Sequence, residues 1–138
     1  MAKNAQMTGG QLVELLRGTI VALVRREEPD LSARQLGIFL ICYLEDEPQT
    51  VRGLAAALRI SKPAVSRSLD RLGEFRLIRR KTDPTSRRSV LVQRTSNGGI
   101  FMRDLRGIMR EVVATHVASE GGPAVAPQAM VRGPTKHP

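Results

Sequence analysis

The sequence predicts a mostly α-helical fold with one small β-hairpin, and three observations lead to that class. Apolar residues recur at the three-and-four spacing of a helix at both ends of the chain and in its middle. Two of the middle stretches are short and only three residues apart. After Phe75 the apolar period changes to that of a strand, on both sides of a turn-rich connection. The length of 138 residues fits one domain.

The first two predicted helices differ in how much of their surface is apolar. A single apolar stripe runs from Leu12 to Val24, and Pro29 ends this helix by restricting the residue before it. The second helix begins after Ser32, its expected N-cap, and runs to about Glu45. Because residues 36–44 are nearly all apolar, they could also be read as a buried strand, but the length of the segment and its flanking SARQ favour a central core helix.

Two short helices and a hairpin follow in the middle of the chain. The stretch TVRGLAAALR has Thr50 as its cap, and SKPAVSRSLDRLGE has Ser61 as its cap with Pro63 in the first turn. Two short helices joined by so tight a turn are typical of a helix-turn-helix. The stretches RLIRRK and SVLVQR then predict two strands joined by TDPTSRR, so that a hairpin wing completes a winged helix-turn-helix.

The last predicted helix, from about Gly99 to Ser119, carries two apolar stripes instead of one. A single stripe is enough to dock a helix on its own domain, so the second stripe predicts another neighbour. The tail after this helix is rich in Gly and Pro, and we expect it to be disordered.

The basic residues are concentrated in one segment. The net charge is +9, and the segment from Arg59 to Arg94 holds eleven Lys and Arg against three Asp and Glu. This concentration indicates a polyanionic partner, since charge needed only for solubility would be spread along the chain. Projected on a helical wheel, the side of the fourth helix opposite Val65, Leu69 and Leu72 is polar and cationic.

This side of the fourth helix is the predicted recognition surface for duplex nucleic acid. Small residues let a helix come close to base edges, and arginine reaches guanine or phosphate. An ordinary solvated helix face is the alternative, which the preceding tight-turn helix and the basic hairpin disfavour. At the hairpin tip Arg87 and Arg88 are predicted to enter a minor groove or to face water, with Asp83 pairing one of them. The predicted recognition-helix residues are Ser61, Lys62, Ala64, Ser66, Arg67 and Arg71.

The segment TVRGLAAALRISKPAVSRSLDRLGEFRLIRRKTDPTSRRSVLVQRT resembles the winged helix-turn-helix core of the MarR family of bacterial transcription regulators. The resemblance extends from about Leu12 to Ala118. It implies a homodimer with interlocking terminal helices, two recognition helices in successive major grooves of a pseudo-palindrome, and wings near the adjacent minor grooves. The implied dimer interface lies on the first and last helices and consists of Leu12, Leu16, Leu23, Leu105, Met109 and Val112.

The expected domain organisation combines this resemblance with the predicted elements. Residues 1–30 form an N-terminal dimerisation helix and residues 31–97 the winged helix-turn-helix domain. Residues 98–119 form a C-terminal dimerisation helix, and residues 120–138 form the disordered tail.

Three positions depart from the family pattern. Arg76 replaces the glycine that usually ends the recognition helix in the left-handed region, so this cap is expected to be rebuilt or mildly strained. Ser86 replaces an aspartate before the wing arginines, which weakens the expectation of an Asp–Arg brace. Arg94 replaces a leucine, and we expect it to make the second strand more exposed.

Four other residues are weaker candidates for function. Cys42, the only cysteine, could sense the redox state, but it lies in the apolar run FLICYL, where a buried thiol has a raised pKa and is inert. Phe39 and Tyr43 could line a pocket for a small-molecule effector, although a core role is favoured. His116 has no visible co-ligand, so helix packing is favoured, and no metal or cofactor is expected.

The leading hypothesis is a dimeric, sequence-specific DNA-binding regulator, a repressor that blocks polymerase at a promoter, with release by a small ligand left open. The alternative is a winged-helix module that binds nonspecific nucleic acid or an acidic protein partner. An enzyme is excluded, because one Cys, two His and no clustered carboxylates beyond EDE give no catalytic or metal constellation. Neither a signal-peptide pattern nor a membrane-length apolar run is present, so we expect a cytoplasmic protein.

Overall fold

The computed structural model describes residues 6–120 and confirms the predicted class, a mostly helical fold with a small antiparallel sheet. Within this range the elements are α1 (Gly9–Arg25), α2 (Ala33–Leu44), β1 (Gln49–Thr50), α3 (Val51–Leu58), α4 (Lys62–Glu74), β2 (Ile78–Asp83), β3 (Ser86–Arg94) and α5 (Ser96–Glu120). The side chains of Arg87 and of residues 117–120, and the predicted tail after Glu120, lie outside the described residues.

The chain divides into two compact units. Among the described residues, one unit consists of residues 23–106 and the other of residues 6–22 together with residues 107–120. The domain boundaries expected from the sequence, after residues 30, 97 and 119, remain predictions.

The three N-caps predicted from the sequence are present. The hydroxyls of Ser32, Thr50 and Ser61 each accept a hydrogen bond from the backbone N–H three residues further on, at 3.1, 2.9 and 3.2 Å. At Ser32 the bond is reciprocal, because the Gln35 side chain accepts from the Ser32 N–H at 2.9 Å. These bonds satisfy N–H groups that have no partner within the helix, and so they fix where α2, α3 and α4 begin.

The sheet has three antiparallel strands in the order β1-β3-β2. Strands β2 and β3 form the predicted hairpin, with Ile78 opposite Arg94 at its base. The sequence does not predict β1, which is only two residues long and pairs with Val92 and Leu91 of β3. A strand this short shows no alternation of apolar and polar residues. Because β1 leads directly into α3, it attaches the start of the helix-turn-helix to the base of the hairpin.

The core of the unit formed by residues 23–106 is built around α2. Ile38 and Phe39 of this helix are fully buried, which confirms that the apolar run is a central helix and not a strand. Val65, Leu69 and Leu72 of α4 are equally buried and form the inner face that the sequence predicts. Removing these side chains from water holds α4 against the rest of the unit.

Three aromatic residues, Phe39, Tyr43 and Phe101, pack against one another in this core. The Phe39 ring stacks on Tyr43 with 4.3 Å between centroids and meets Phe101 edge-on at 5.1 Å. The Tyr43 hydroxyl donates to the Leu77 carbonyl at 2.7 Å and accepts from the Thr95 N–H at 2.9 Å. These contacts support the core role favoured from the sequence for Phe39 and Tyr43, and the effector pocket at these residues remains a prediction.

The first part of α5 packs into the same core. Phe101, Met102 and Leu105 are 5%, 5% and 6% exposed, although the sequence places them on two different stripes. Leu105 is therefore a core residue, and its expected place in a dimer interface is wrong. A helix surrounded on several sides buries neighbouring stripes together, so a second stripe does not require a second molecule. Leu23, also expected in that interface, is partly buried against this core.

The other unit brings the first part of α1 and the last part of α5 together at Gly18. A Cβ atom at Gly18 would lie 2.7 Å from Cγ1 of Val112, so the two helices approach too closely for a side chain there. Val112, which is expected to contact a second copy of the chain, therefore packs against Gly18 of its own chain. Leu12 and Leu16 face outward instead, with 52% and 59% of their surface exposed.

Gly98 in α5 lies too close to Tyr43 to carry a side chain. A Cβ atom there would overlap the Tyr43 hydroxyl and the Leu77 carbonyl, whereas nothing lies within 4 Å at the neighbouring Gly99. We expect Gly98→Ala to lower the free energy of unfolding by about 1–3 kcal/mol, the usual cost of overpacking.

Gly99→Ala is the matched control in the same helix, and it should raise the free energy of unfolding by about 0.5–1 kcal/mol. Urea unfolding of both variants measures the difference. Equal stability of the two variants would contradict the close approach of α5 to Tyr43.

Candidate nucleic-acid interface

Helix α4 turns its apolar side inward and its polar side outward, as the sequence predicts. Lys62, Arg67 and Arg71 are all exposed on the outward side. Among the described residues, no side chain forms an ion pair or hydrogen bond with Lys62 or Arg67. Ser61, just before the helix, is exposed as well, and its oxygen serves as the N-cap. Two cations near the start of α4 are thus available to an outside partner.

The two small residues predicted beside these cations have different surroundings. Ser66 is half-buried, at the edge of the outward side. Ala64 is only 6% exposed, so its expected place at the recognition surface is wrong. Helix α4 packs against both α2 and α3, and its buried sector is therefore wider than one apolar stripe. Ser68, which is 4% exposed, belongs to the same widened sector.

Arg71 is held at the far end of α4 by two contacts within the helix. Its Nη1 atom lies 3.0 Å from Oε1 of Glu74, and its guanidinium lies 4.7 Å from the centre of the Phe75 ring. An arginine paired in this way is less available to an outside partner than Arg67. Of the three predicted cations on α4, Arg71 is therefore paired, whereas Lys62 and Arg67 have no described partner.

Arg76, two residues after the last residue of α4, adopts the left-handed conformation with φ 59°. The Arg76 N–H bonds to the Gly73 carbonyl at 2.9 Å, and the Leu77 N–H bonds to the Leu72 carbonyl at 3.0 Å. This pair of bonds is the Schellman arrangement that a glycine usually completes. The expected cap is therefore built with arginine in place of glycine, and the Cβ atom of Arg76 makes it mildly strained.

Three side chains bind the backbone immediately after α4, and together we call them the α4 clamp: Tyr43, Thr95 and Asn97. Asn97 Nδ2 donates to the carbonyl of Phe75 at 2.8 Å, and Thr95 Oγ1 donates to the carbonyl of Arg76 at 2.7 Å. Tyr43 satisfies the next carbonyl along the chain. Sequence reasoning missed Thr95 and Asn97 as positioning residues, because their acceptors lie 19 and 22 residues away.

The hairpin turn is organised around Asp83. Its carboxylate accepts bonds from the N–H of Thr85 at 2.9 Å and from Oγ1 of the same residue at 2.8 Å, and these bonds lower the pKa of Asp83. The sequence predicts that Asp83 pairs with Arg87 or Arg88. Its described contacts are instead with Thr85, and they brace the turn. Arg88 is exposed on β3, while the Arg87 side chain lies outside the described residues.

An ion pair between Asp70 and Arg80 connects the outward side of α4 to β2. Arg80 stands between Arg79 and Lys81, which are also exposed. Because of this contact, the cationic strand lies directly beside the exposed side of the helix. The surface defined by Lys62, Arg67, Asp70, Arg80 and Arg88 is called the basic surface below.

The sequence predicts that Arg94 makes β3 more exposed, but its side chain binds the end of α2. Its Nε atom donates to the carbonyl of Cys42 at 2.9 Å, and Nη2 donates to the carbonyl of Glu45 at 2.6 Å. The guanidinium also lies 5.5 Å from the centre of the Tyr43 ring. A cation at a helix C-terminus satisfies free carbonyls and complements the helix dipole, so Arg94 stabilises the fold.

Cys42 lies in the core with 5% of its surface exposed. Burial raises the pKa of its thiol to about 11, against a smaller opposing effect of the Arg94 cation. A thiol that stays protonated is a poor nucleophile, which supports the core role favoured from the sequence. Among residues 6–120, no group of three or more His, Cys, Asp or Glu is arranged to hold a metal ion. No helix in this range combines the length and apolar character that a membrane crossing requires.

The sequence of residues 30–89 matches the model of the MarR family. No curated protein sequence matches the chain. The resemblance expected from the sequence is thus confirmed over the helix-turn-helix and the first part of the hairpin.

Solved structures extend this similarity to the fold of most of the chain. The transcriptional regulator Tm0710 from Thermotoga maritima is 17% identical and superposes with a TM-score of 0.68, covering 88% of this chain and 82% of its own. A MepR–DNA complex from S. aureus is 22% identical with a TM-score of 0.64, covering 80% and 88%. A mutant MarR from E. coli is 21% identical with a TM-score of 0.58, covering 94% of both chains.

The strain at Arg76 gives a prediction about the end of α4. We expect Arg76→Gly to raise the free energy of unfolding by about 0.5–1 kcal/mol, because glycine adopts the left-handed region without the Cβ cost. Arg76→Ala keeps the Cβ atom and removes the cation, so it should bring no such gain. Thermal unfolding of the two variants separates backbone strain from charge, and an equal gain in both would show that charge is the cause.

Proposed function

We infer that this chain, whose residues 30–89 match the MarR family and whose fold is that of solved MarR-family regulators, is a DNA-binding transcription regulator. In this proposal two copies place their α4 helices in successive major grooves of a pseudo-palindromic operator, with the hairpins near the adjacent minor grooves. Binding at a promoter blocks polymerase, so the regulator acts as a repressor. Lys62 and Arg67 are exposed beside a cationic hairpin, and no described residue pairs with either of them. This observation carries the proposal.

The position of these two cations suits the two kinds of contact that a DNA reader makes. Arg67 projects from the middle of the helix, where an arginine can reach O6 and N7 of guanine in a major groove about 12 Å wide. Lys62 stands in the first turn of α4, where the positive end of the helix dipole also favours a phosphate. The structural similarity to the S. aureus MepR–DNA complex supports duplex DNA as the polyanion.

The outward face of α1 supports a second copy of the chain as the dimer partner. Leu12, Val13 and Leu16 are 52%, 65% and 59% exposed within one helix. Adjacent apolar side chains with this exposure are typical of an association surface. Met109 of α5, which is 36% exposed, is a further candidate. We therefore propose that α1 supplies most of the contact that the sequence assigns to Leu105 and Val112.

A cavity beside the α4 clamp supports control by a small-molecule effector. The cavity has a volume of about 230 Å³, and Phe75, Asn97, Phe101 and Arg26 are among its lining residues. A ligand there would touch the last residue before the helix-ending turn and the side chain that binds its carbonyl. We propose this cavity as the effector site in place of the pocket considered at Phe39 and Tyr43.

The alternative function, a module for nonspecific nucleic acid or an acidic protein, makes a different prediction about sequence preference. Nonspecific binding depends only on phosphate neutralisation and falls steeply with salt, whereas a specific complex keeps contacts that salt does not displace. Duplexes selected from a random pool by the protein should share a pseudo-palindrome. Recovery of no common sequence would favour the nonspecific module.

Removal of Arg67 tests the recognition helix directly. We expect Arg67→Ala to weaken binding to the selected site by about 1–3 kcal/mol, the usual contribution of a base-edge arginine. Folding should be unchanged, because Arg67 has no described partner. Arg34→Ala is the matched control, since Arg34 is an exposed arginine on α2 with no described side-chain partner.

Fluorescence anisotropy with the selected duplex measures both affinities. Equal losses in the two variants would mean that total charge, and not the position of Arg67, determines binding.

Introducing a charge on α1 tests the dimer. We expect Leu16→Glu to convert the dimer to a monomer, because an isolated carboxylate buried between two copies is strongly unfavourable. Leu44→Glu is the control, since Leu44 is 60% exposed on α2, outside the proposed contact. Light scattering gives the mass of each variant. A Leu16→Glu protein of dimer mass would remove α1 from the interface.

A further inference from the structure

The ion pair between Asp70 and Arg80 occupies an unusual position on the basic surface. Asp70 follows Arg67 by three residues and therefore lies on the same side of α4. Its side chain is 58% exposed, while that of Arg80 is 35% exposed. The pair joins α4 to β2, two elements that residues 75–77 separate in the chain, and so it places the Arg80 side chain beside the helix.

Neither affinity nor stability accounts for an acid at this position. A carboxylate facing a polyanion repels phosphates, so Asp70 lowers the attraction that the surrounding cations produce. An ion pair with this exposure also contributes little to folding, because water screens it. Two roles are left for Asp70: to orient Arg80 and to discriminate between DNA sequences. Complementary charges at an interface contribute more to specificity than to affinity.

We propose that Asp70 is a specificity-determining residue that positions Arg80 beside the exposed side of α4. This inference rests on the proposed function and concerns the same surface. Asp70 neutralises Arg80 in the free protein and so removes one cation from indiscriminate phosphate binding. At the correct operator it presents Arg80 in one orientation beside α4.

Both effects act on the ratio between specific and random binding. Specificity is a difference of two affinities, so weakening the random complex raises it as effectively as strengthening the specific one. Loss of Asp70 frees Arg80 to bind any phosphate, which strengthens the random complex. The same loss lets the Arg80 side chain move relative to α4, which weakens the specific complex.

The test compares Asp70→Asn with the wild-type chain on the selected duplex and on random duplex across a range of salt concentrations. We expect the ratio of specific to random affinity to fall by about tenfold, the effect of one positioned contact. On random DNA the slope of log affinity against log salt should steepen by about 0.9, as one more phosphate is neutralised. An unchanged ratio and slope would overturn the proposal.

A double variant separates the positioning of Arg80 from the mere removal of an acid. In Asp70→Asn with Arg80→Gln the freed cation is gone, so the slope on random DNA should return to the wild-type value. A slope that stays steep would show that the carboxylate acts by general repulsion, which would also overturn the positioning role.

Asp30→Asn provides the control, because Asp30 is an exposed acid between α1 and α2, on neither the basic surface nor the proposed dimer contact. It should leave the affinity ratio unchanged, and a fall equal to that of Asp70→Asn would reduce the effect to net charge. The unfolding midpoints of all variants should agree, which excludes loss of folding as the cause. A wild-type chain with no preference for its selected duplex would refute the proposed function, a result distinct from the failure of this inference.

Discussion

The position of the basic surface depends on one partly buried group, the hydroxyl of Tyr43. It donates to the Leu77 carbonyl just after α4 and accepts from the Thr95 N–H just before α5. The first turn of α5 passes over this hydroxyl because Gly98 has no side chain there. With both its donor and its acceptor satisfied, the Tyr43 phenol fixes the end of α4 to α2 and α5 without leaving its own polar group unpaired.

The arginines of the basic segment serve several different purposes. Arg94 closes the end of α2, Arg71 rests on Phe75, and Arg76 ends α4 in the left-handed region. Arg80 is neutralised by its ion pair, whereas Lys62, Arg67, Arg79, Lys81 and Arg88 have no side-chain partner among the described residues. A run of positive charge in a sequence therefore overstates the charge that a partner meets. The fold decides how much of it reaches the surface unpaired.

The same distinction applies to the apolar residues of the terminal helices. The first part of α5 is buried in the core around Phe39 and Phe101. Its apolar stripes therefore do not indicate an outside partner. Close packing at Gly18 also occupies part of the later α5 surface. Exposed leucines remain on α1 instead. An apolar stripe in the sequence shows that a helix face can be buried, but not what buries it. Only a stripe that stays exposed in the folded chain can contact a second molecule.

The sequence by itself determined the local features: the limits of the helices, the three serine and threonine caps, the hairpin and the inward side of α4. These depend on periodicity and on hydrogen bonds that reach three or four residues along the chain. Only the tertiary structure decided that Ala64 and Leu105 are buried, that β1 exists, and that Thr95 and Asn97 bind the end of α4. The physical reason is that burial depends on how many neighbours surround a residue, and those neighbours come from distant parts of the chain.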